Sequence, residues 1–151
     1  MKHIIIKMIA VMLILVGCTS KPVTKVTLDP PVTLEFYAIA GCSECEIFKS
    51  KAIPYLQKTF GKSLKIAIYD MDDESVTAQY DSVINALKDF DEEYYGHSPF
   101  MVVKNYFAVL GYNGGDEKYL ANDIIASVEG KSLSSELAPI RFEYKQTSKE
   151  E

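Results

Sequence analysis

Cys42 and Cys45 are the two residues of this chain whose type and spacing most directly suggest chemistry. At this spacing, two thiols can open and close a disulfide without movement of the backbone. The pair lies between an apolar run, residues 32–40, and a helical pattern that begins near Cys45. Because the thiolate is the reactive form of cysteine and a helix N-terminus favours negative charge, this position suits a reactive thiol.

The start of the chain resembles a bacterial lipoprotein signal. A basic beginning is followed by the largely apolar stretch 4–16, which is shorter than the roughly 18 to 20 residues that span a bilayer as a helix. The tetrapeptide Leu15–Cys18, Leu-Val-Gly-Cys, then resembles the lipobox, where the signal is cut before a cysteine that carries lipid. We therefore expect a signal peptide at residues 1–17 and lipid on Cys18. A plain cleaved signal and an uncleaved anchor are the alternatives.

Lipid on Cys18 would change the meaning of the composition. It leaves one cysteine pair, and disulfides persist outside the cytosol. Loss of Lys2 and Lys7 with the signal leaves fourteen basic residues against twenty-one acidic ones, a net charge of about −7. This balance argues against nucleic acid as a partner and against electrostatic attachment to anionic lipid. The expected location is extracytoplasmic, with the protein anchored to the lipid bilayer of a bacterial membrane through Cys18.

Length and composition predict a single domain. Residues 18–31, rich in Pro, Thr and Lys, are interpreted as the lipidated N-terminus and a linker. About 120 residues follow, enough for one core and too few for two. We place the domain at residues 32–130 and a frayed C-terminal tail at residues 131–151. One alternating piece of that tail, residues 140–144, suits an additional edge strand.

Strand and helix patterns alternate through the first half of this domain. Residues 32–40 predict a strand buried on both faces, and the apolar residues of 48–60 recur at helical spacing until Gly61. Residues 64–69 alternate as a second strand. Such a strand-helix-strand unit normally pairs in parallel with a right-handed crossover.

A longer helix is predicted next, beginning at a cap on Asp72 or Asp73 and reaching Tyr94. Six apolar or aromatic residues at spacings of three and four predict its buried stripe: Val76, Tyr80, Val83, Leu87, Phe90 and Tyr94. The opposite face is acidic and is interpreted as solvated surface.

The second half of the domain predicts a hairpin and a last helix. Strands at 100–103 and 106–110 are separated only by Lys104-Asn105, and asparagine can adopt the left-handed conformation of a tight turn. A helix at about 117–129 follows, with Asp116 as its cap.

The order of these elements resembles the thioredoxin-like superfamily. The resemblance covers roughly residues 32–130, and its most specific elements are Phe-Tyr-Ala at 36–38, Gly-Cys-Ser-Glu-Cys at 41–45 and Ser-Pro-Phe at 98–100. It implies an α/β fold of three layers, with a central mixed sheet of about four strands flanked by helices. Thioredoxins proper carry Trp where this chain has Gly41, and the Ser-Glu dipeptide between the cysteines also differs, so no subfamily is assigned.

The resemblance also implies roles for individual residues. Cys42 would be the attacking thiol, and Cys45 the more buried thiol that resolves the mixed disulfide. Pro99 would form a cis peptide bond across from the cysteines, where the backbone of Ser98 could pair with an extended substrate. Glu35, on the first strand, would accept a proton beneath the second cysteine.

Two neighbouring residues bear on the same site. His97, the only histidine that remains without the signal, is a candidate proton carrier beside the substrate, with an ordinary surface histidine as the alternative. Glu44 lies between the thiols and should disfavour a nearby thiolate by like charge. That effect favours a reductant or exchanger over a strong oxidant.

The expected function is that of an enzyme, a membrane-anchored thiol-disulfide oxidoreductase. Its redox-active disulfide, Cys42-Cys45, would work without a metal or another cofactor. Its partners would be exported proteins with cysteines or disulfides, and a membrane thiol reductase as the source of electrons.

Three other interpretations stay open. The main alternative is a copper or zinc carrier using Cys42, Cys45 and His97, because two thiolates suit a soft ion. A closed structural zinc site, however, needs four protein ligands. The others are a permanent disulfide that stiffens a turn and a domain that serves only as an interaction module.

Overall fold

The computed structural model describes residues 24–137 and 140–145. In this part of the chain one mixed sheet has the strand order β2-β1-β3-β4-β5. Its strands are β1 Val32–Ala38, β2 Leu64–Asp70, β3 Phe100–Val103, β4 Phe107–Leu110 and β5 Ile140–Glu143. β1 and β2 are parallel, as predicted, and the other neighbouring pairs are antiparallel. The α/β class is confirmed, with five strands where the sequence predicted about four.

One long helix connects β1 to β2. It is α-helical at Ser43–Ile47 (α1), π-helical at Phe48–Ala52 and α-helical again at Ile53–Phe60 (α2). Pro54 has no N–H, and its ring crowds the carbonyl four residues earlier, which accounts for the wider turn at this point. Gly61 ends the helix at φ +54, as its position predicted.

The next helix, α3, spans Thr77–Ala86, so the predicted continuation to Tyr94 was wrong. Leu87 instead forms an antiparallel bridge with Tyr144, and Asp89 takes a left-handed φ of 50°. Both features are incompatible with a continuing helix. The predicted stripe is nevertheless core, because its six residues all belong to or pack against one hydrophobic cluster.

The hairpin has the predicted turn, with Asn105 at φ 70°. The last helix, α4, spans Glu117–Val128. Asp116 occupies the N-cap position as predicted, but its side chain makes no capping hydrogen bond. The Glu117 carboxylate instead accepts the N–H of Gly115 at 3.1 Å, which satisfies a backbone donor ahead of the first turn.

β5 lies within the stretch that the sequence predicted to be a frayed tail, at the alternating piece 140–144 that suited an additional edge strand. The buried Asp123 of α4 holds the Arg141 guanidinium at 3.1 Å, and Arg141 also donates to the Ser134 carbonyl at 2.7 Å. Phe142 is buried on the other side of the strand. These contacts join the C-terminal strand to the domain. The predicted signal peptide and Cys18 lie outside the described residues.

The sheet separates two hydrophobic cores. The first core, under α1, α2 and α4, includes Phe36, Cys45, Phe48, Leu120 and Ile124. The second core, under α3, is mainly aromatic and includes Tyr37, Tyr80, Leu87, Phe100 and Phe142. Because successive side chains of a strand point to opposite faces, β1 contributes to both cores. Within residues 24–137 and 140–145, no helix combines the length and the apolar character needed to cross a membrane.

Candidate redox site

The candidate site is a disulfide between Cys42 and Cys45, whose Cα atoms lie 5.2 Å apart. Gly41, at φ +73, makes the turn from β1 toward the helix in a conformation that costs glycine little. Cys42 caps α1, because its Sγ accepts the N–H of Cys45 at 3.1 Å. Both sulfurs therefore lie at the first turn of the long helix, where unpaired backbone N–H groups favour negative charge.

The two sulfurs differ in their access to solvent. Cys45 is completely buried in the first core, whereas Cys42 is only half-buried. A sulfur atom of another molecule can therefore reach Cys42 but not Cys45. The order of burial that the resemblance implied is confirmed.

Ser98 brings a hydroxyl group to these sulfurs. Its Oγ lies 3.1 Å from Cys45 Sγ and 4.0 Å from Cys42 Sγ, and it donates to the Tyr37 carbonyl at 3.1 Å. A hydroxyl has one proton, so it cannot donate to the carbonyl and to a sulfur at the same time. A thiolate at Cys45 would be the stronger acceptor, because hydrogen bonds to charged groups are stronger than neutral ones.

The cis peptide bond between Ser98 and Pro99 confirms the prediction for Pro99. Phe100 then opens β3 directly opposite Tyr37 of β1, which brings Ser98 level with the start of the cysteine loop. Within the described residues, no hydrogen bond engages the backbone N–H or C=O of Ser98. These groups are available to an extended peptide.

The side-chain contact of Ser98 was not predicted from the sequence. From the sequence, Ser98 was expected to act through its backbone alone. A small hydroxyl residue directly before the proline was the signal that could have suggested it.

Glu35 lies on the face of the sheet opposite to Cys45. Its carboxylate is buried and accepts hydrogen bonds from the Tyr37 hydroxyl at 2.9 Å, Gln79 Nε2 at 3.1 Å and Lys104 Nζ at 3.4 Å. Burial and, after it, the Glu35 charge raise the pKa of Tyr37 far above its ordinary value. Among the residues described, the Glu35 side chain makes no hydrogen bond to Cys45 or Ser98. A role for Glu35 as proton acceptor stays a prediction.

Glu44, between the cysteines, is tied to the loop after β4. Its Oε2 accepts the backbone N–H of Tyr112 at 3.2 Å, and the Tyr112 hydroxyl donates to Glu117 at 2.8 Å. Burial, followed by this hydrogen bond, raises the pKa of Tyr112. The Tyr112 ring packs edge-on against Phe48 at 5.0 Å. These contacts fix the carboxylate of Glu44, a residue of the first turn of α1 that lies between the two cysteines in the sequence.

His97 is exposed, and its ring meets Tyr94 edge to face at 6.1 Å. In the portion of the chain that the structure describes, no group of three or more His, Cys, Asp or Glu side chains is placed to hold a metal ion. Cys42, Cys45 and His97 all belong to this portion. The structure therefore does not bring together the three ligands of the metal-carrier alternative.

An open cleft of about 240 Å³ lies between the loop after β1, the segment from β2 to α3 and the loop ahead of Ser98. The Ala40 N–H donates to Asp72 at 2.8 Å, which fixes one wall of the cleft. Its lining is largely apolar and consists of Ile39, Met71, Asp72, Val76, Thr77, Tyr80, Tyr95 and Gly96. Two of its large hydrophobic side chains, Ile39 and Tyr95, are also exposed to solvent. An extended segment with apolar side chains fits such a surface.

Compared with protein-family models, with curated protein sequences and with solved structures, the chain matches none of them. A functional interpretation therefore depends on the residues and geometry of the site itself.

Proposed function

We propose that this chain is a thiol-disulfide oxidoreductase of the thioredoxin-like superfamily. The observation that carries the proposal is the pairing of an accessible sulfur, Cys42, with a completely buried one, Cys45, in the first turn of a helix. The Ser98 hydroxyl, 3.1 Å from the buried sulfur, supplies a hydrogen-bond partner for a thiolate. A disulfide that only stiffens a turn requires neither of these features.

In the reducing direction, the Cys42 thiolate attacks one sulfur of a substrate disulfide. A bond forms between Cys42 and that sulfur, the substrate disulfide breaks, and the other substrate sulfur leaves as a thiolate that takes a proton from water. The Cys45 thiolate then attacks Cys42 Sγ and displaces the first substrate sulfur, which is protonated in turn. Two electrons pass from the dithiol to the substrate, and the Cys42-Cys45 disulfide is the product.

Structural features of the site lower the free energy of the thiolate in each step. The helix N-terminus stabilises the Cys42 thiolate, and the Ser98 hydroxyl stabilises the thiolate of Cys45 when it forms. The free backbone groups of Ser98 and the neighbouring cleft hold the substrate segment in an extended conformation.

The charge around the disulfide favours a reductant or exchanger. Glu44 lies between the two cysteines in the sequence, and its carboxylate accepts the backbone N–H of Tyr112. A carboxylate at that position disfavours a thiolate, and strong oxidants depend on a stabilised thiolate in their reduced form. The substrates on this proposal are exported proteins with cysteines or disulfides. A membrane thiol reductase then regenerates the dithiol.

The proposed location is the outer surface of a bacterial membrane, with lipid on Cys18. Mass spectrometry of the N-terminal peptide from the membrane fraction tests it. The expected peptide begins at Cys18 and carries the mass of the lipid. A peptide that begins at another residue contradicts the lipid anchor and leaves the redox proposal intact.

A disulfide-reduction assay on the chain from residue 18 onward, with Cys18→Ser, tests the function. The expected result is catalysed reduction of a peptide disulfide, lost completely in Cys42→Ser. Metal analysis of the same preparation distinguishes the metal-carrier alternative. A pair that stays unreactive toward thiol reagents after mild reduction would contradict the proposal.

A further inference from the structure

The outer edge of β2 has a free set of backbone groups. β2 is the first strand in the order of the sheet, and within the described residues no strand pairs with its outer side. The Met71 N–H donates to the Ala38 carbonyl, and Ala38 lies opposite Asp70. In a parallel pair, this hydrogen bond shows that the odd-numbered residues of β2 direct their backbone N–H and C=O groups toward β1. The N–H and C=O groups of Ile66 and Ile68 therefore point outward.

The edge lacks the features that normally prevent an edge strand from pairing, and two isoleucines lie along it. Ile68 is 54 % exposed, and Ile66 lies half-buried on the same face of the sheet. Proline, a bulge or several charges normally blunt an edge. β2 has no proline, its register with β1 is uninterrupted over seven residues, and the one charge within its central part is Lys65. With respect to residues 24–137 and 140–145, the edge is therefore open to another strand.

Charge along the edge selects the direction of that strand. Exposed lysines, Lys62 and Lys65, lie at the start of β2, and exposed aspartates lie at its end, at positions 70, 72 and 73. An antiparallel copy of the same edge brings the lysine-bearing end of each copy alongside the aspartate-bearing end of the other. A parallel copy would bring like charges together, which destabilises pairing.

We propose that a second copy of this chain pairs antiparallel with the outer edge of β2, about a two-fold axis at Ala67. Ala67 is the midpoint of the strand, so this register pairs all seven residues. Ile66 then lies opposite Ile68 of the second copy, and their outward N–H and C=O groups bond to each other. Lys65 lies opposite Tyr69 on the other face. The two sheets become one continuous sheet.

This pairing is separate from the proposed redox function. The disulfide follows the carboxyl end of β1, and the antiparallel arrangement sends these ends in opposite directions. Both disulfides remain accessible, so the redox activity of each chain is expected to be the same in the monomer and the dimer.

Analytical ultracentrifugation of the full chain in detergent micelles, over a range of concentrations, tests the proposal. The expected protein mass rises from one copy to two as concentration increases. Ile68→Lys adds a charge at the edge and is expected to leave the protein monomeric. The matched control is Ile47→Lys on α1, because Ile47 is 39 % exposed and lies against Gly114 in the loop after β4, and it should still dimerise.

Two further variants separate the contributions. Ile68→Pro removes one outward N–H and leaves the β1-facing groups intact, so it should also be monomeric. Lys62→Glu combined with Lys65→Glu makes both ends of the strand acidic and should abolish pairing. Circular dichroism and disulfide reduction by each variant establish that it is folded.

Several outcomes overturn the proposal. A wild-type chain that stays monomeric at every concentration contradicts it, as does a dimer that survives both Ile68 variants. A dimer lost equally in Ile47→Lys places the contact elsewhere. If the amides of Ile66 and Ile68 resist hydrogen exchange in the monomer, a segment of the same chain occupies the edge. Loss of reductase activity with all of these results unchanged would contradict the proposed function alone.

Discussion

The two faces of the central sheet differ in what they contribute to the candidate site. The first core holds the buried sulfur of Cys45 among mainly aliphatic and phenylalanine side chains. The second core is a set of touching aromatic rings, in which Tyr37 stacks on Tyr69 at 5.0 Å and meets Tyr80 edge-on at 5.2 Å. No sulfur of the disulfide belongs to the second core. Reactive groups and rigid support thus lie on opposite sides of one strand.

Tyr37 connects the two faces. Its ring is fixed in the second core, whereas its carbonyl accepts the hydroxyl of Ser98, which in turn lies against Cys45. Aromatic packing on one face therefore sets the position of a polar group on the other. The second core thus supports the proposed redox site through position alone.

The largest expected effect is a loss of stability on the second face of the sheet, without a loss of redox activity. Phe142→Ala removes a buried ring that packs against Phe90 and Phe100, and it should lower the free energy of unfolding by about 3–5 kcal/mol. Urea denaturation measures this change. The reduction rate per folded molecule should stay at the wild-type level, and Phe142→Leu should cost less. A reduction rate per folded molecule that falls in Phe142→Ala would contradict a purely supporting role for the second core.

Ser98→Ala should affect the chemistry and leave the fold in place. The hydrogen bond to a thiolate is worth about 1.5–3 kcal/mol, so the rate of resolution by Cys45 should fall roughly 10- to 100-fold. The pH-rate profile should move to higher pH, because the thiolate loses its donor. Ser98→Thr keeps the hydroxyl and is the matched control. An unchanged pH-rate profile in Ser98→Ala would contradict a role for the hydroxyl in stabilising the thiolate.

Alkaline pH should weaken the aromatic face. Burial raises the pKa of Tyr37, Tyr80 and Tyr144. Their neutral forms stabilise the folded protein fully below the ordinary tyrosine pKa of about 10, and this stabilisation is lost as pH rises above it. Each group contributes up to about 1.4 kcal/mol per pH unit there. Tyrosinate absorbance should rise together with unfolding, and ionisation of all tyrosines in a folded chain would contradict this prediction.

Glu35→Gln should have the smallest effect on the rate. The substitution keeps an acceptor for Tyr37 and removes the charge that pairs with Lys104, so we expect a stability loss of about 1 kcal/mol. Because the hydrogen bonds of Glu35 stay on the second face, reduction should proceed within about twofold of the wild-type rate. A tenfold loss at unchanged stability would identify Glu35 as the proton acceptor for Cys45 and break the division between the faces.

Local patterns in the sequence predicted the elements around the site. Helical and alternating periods located β1, the long helix and β2, and single residues such as Gly61 and Asn105 marked their turns. The early end of α3 could not be predicted in this way, because it depends on a bridge between Leu87 and Tyr144, which are distant in the sequence.

The contacts of the site depended on register. Alternation in β1 predicts that Glu35 and Tyr37 share a face, but the side of the sheet on which Cys45 lies follows only from the packing of the helices. The Ser98 hydroxyl reaches Cys45 because Phe100 pairs with Tyr37, and no local pattern fixes that pairing. The residues of the site could therefore be identified from the sequence, but their contacts could be determined only from the register of the strands in the structure.

The most direct test is to trap the intermediate that the difference between the two sulfurs requires. In Cys45→Ser, the resolving thiol is absent, so a mixed disulfide with a peptide disulfide substrate should accumulate on Cys42. Mass spectrometry of the digested adduct locates the bond. The account predicts a substrate peptide linked to Cys42, and none in Cys42→Ser, where the remaining sulfur is buried. Equal labelling of Cys45 in Cys42→Ser, or no adduct in Cys45→Ser, would contradict it.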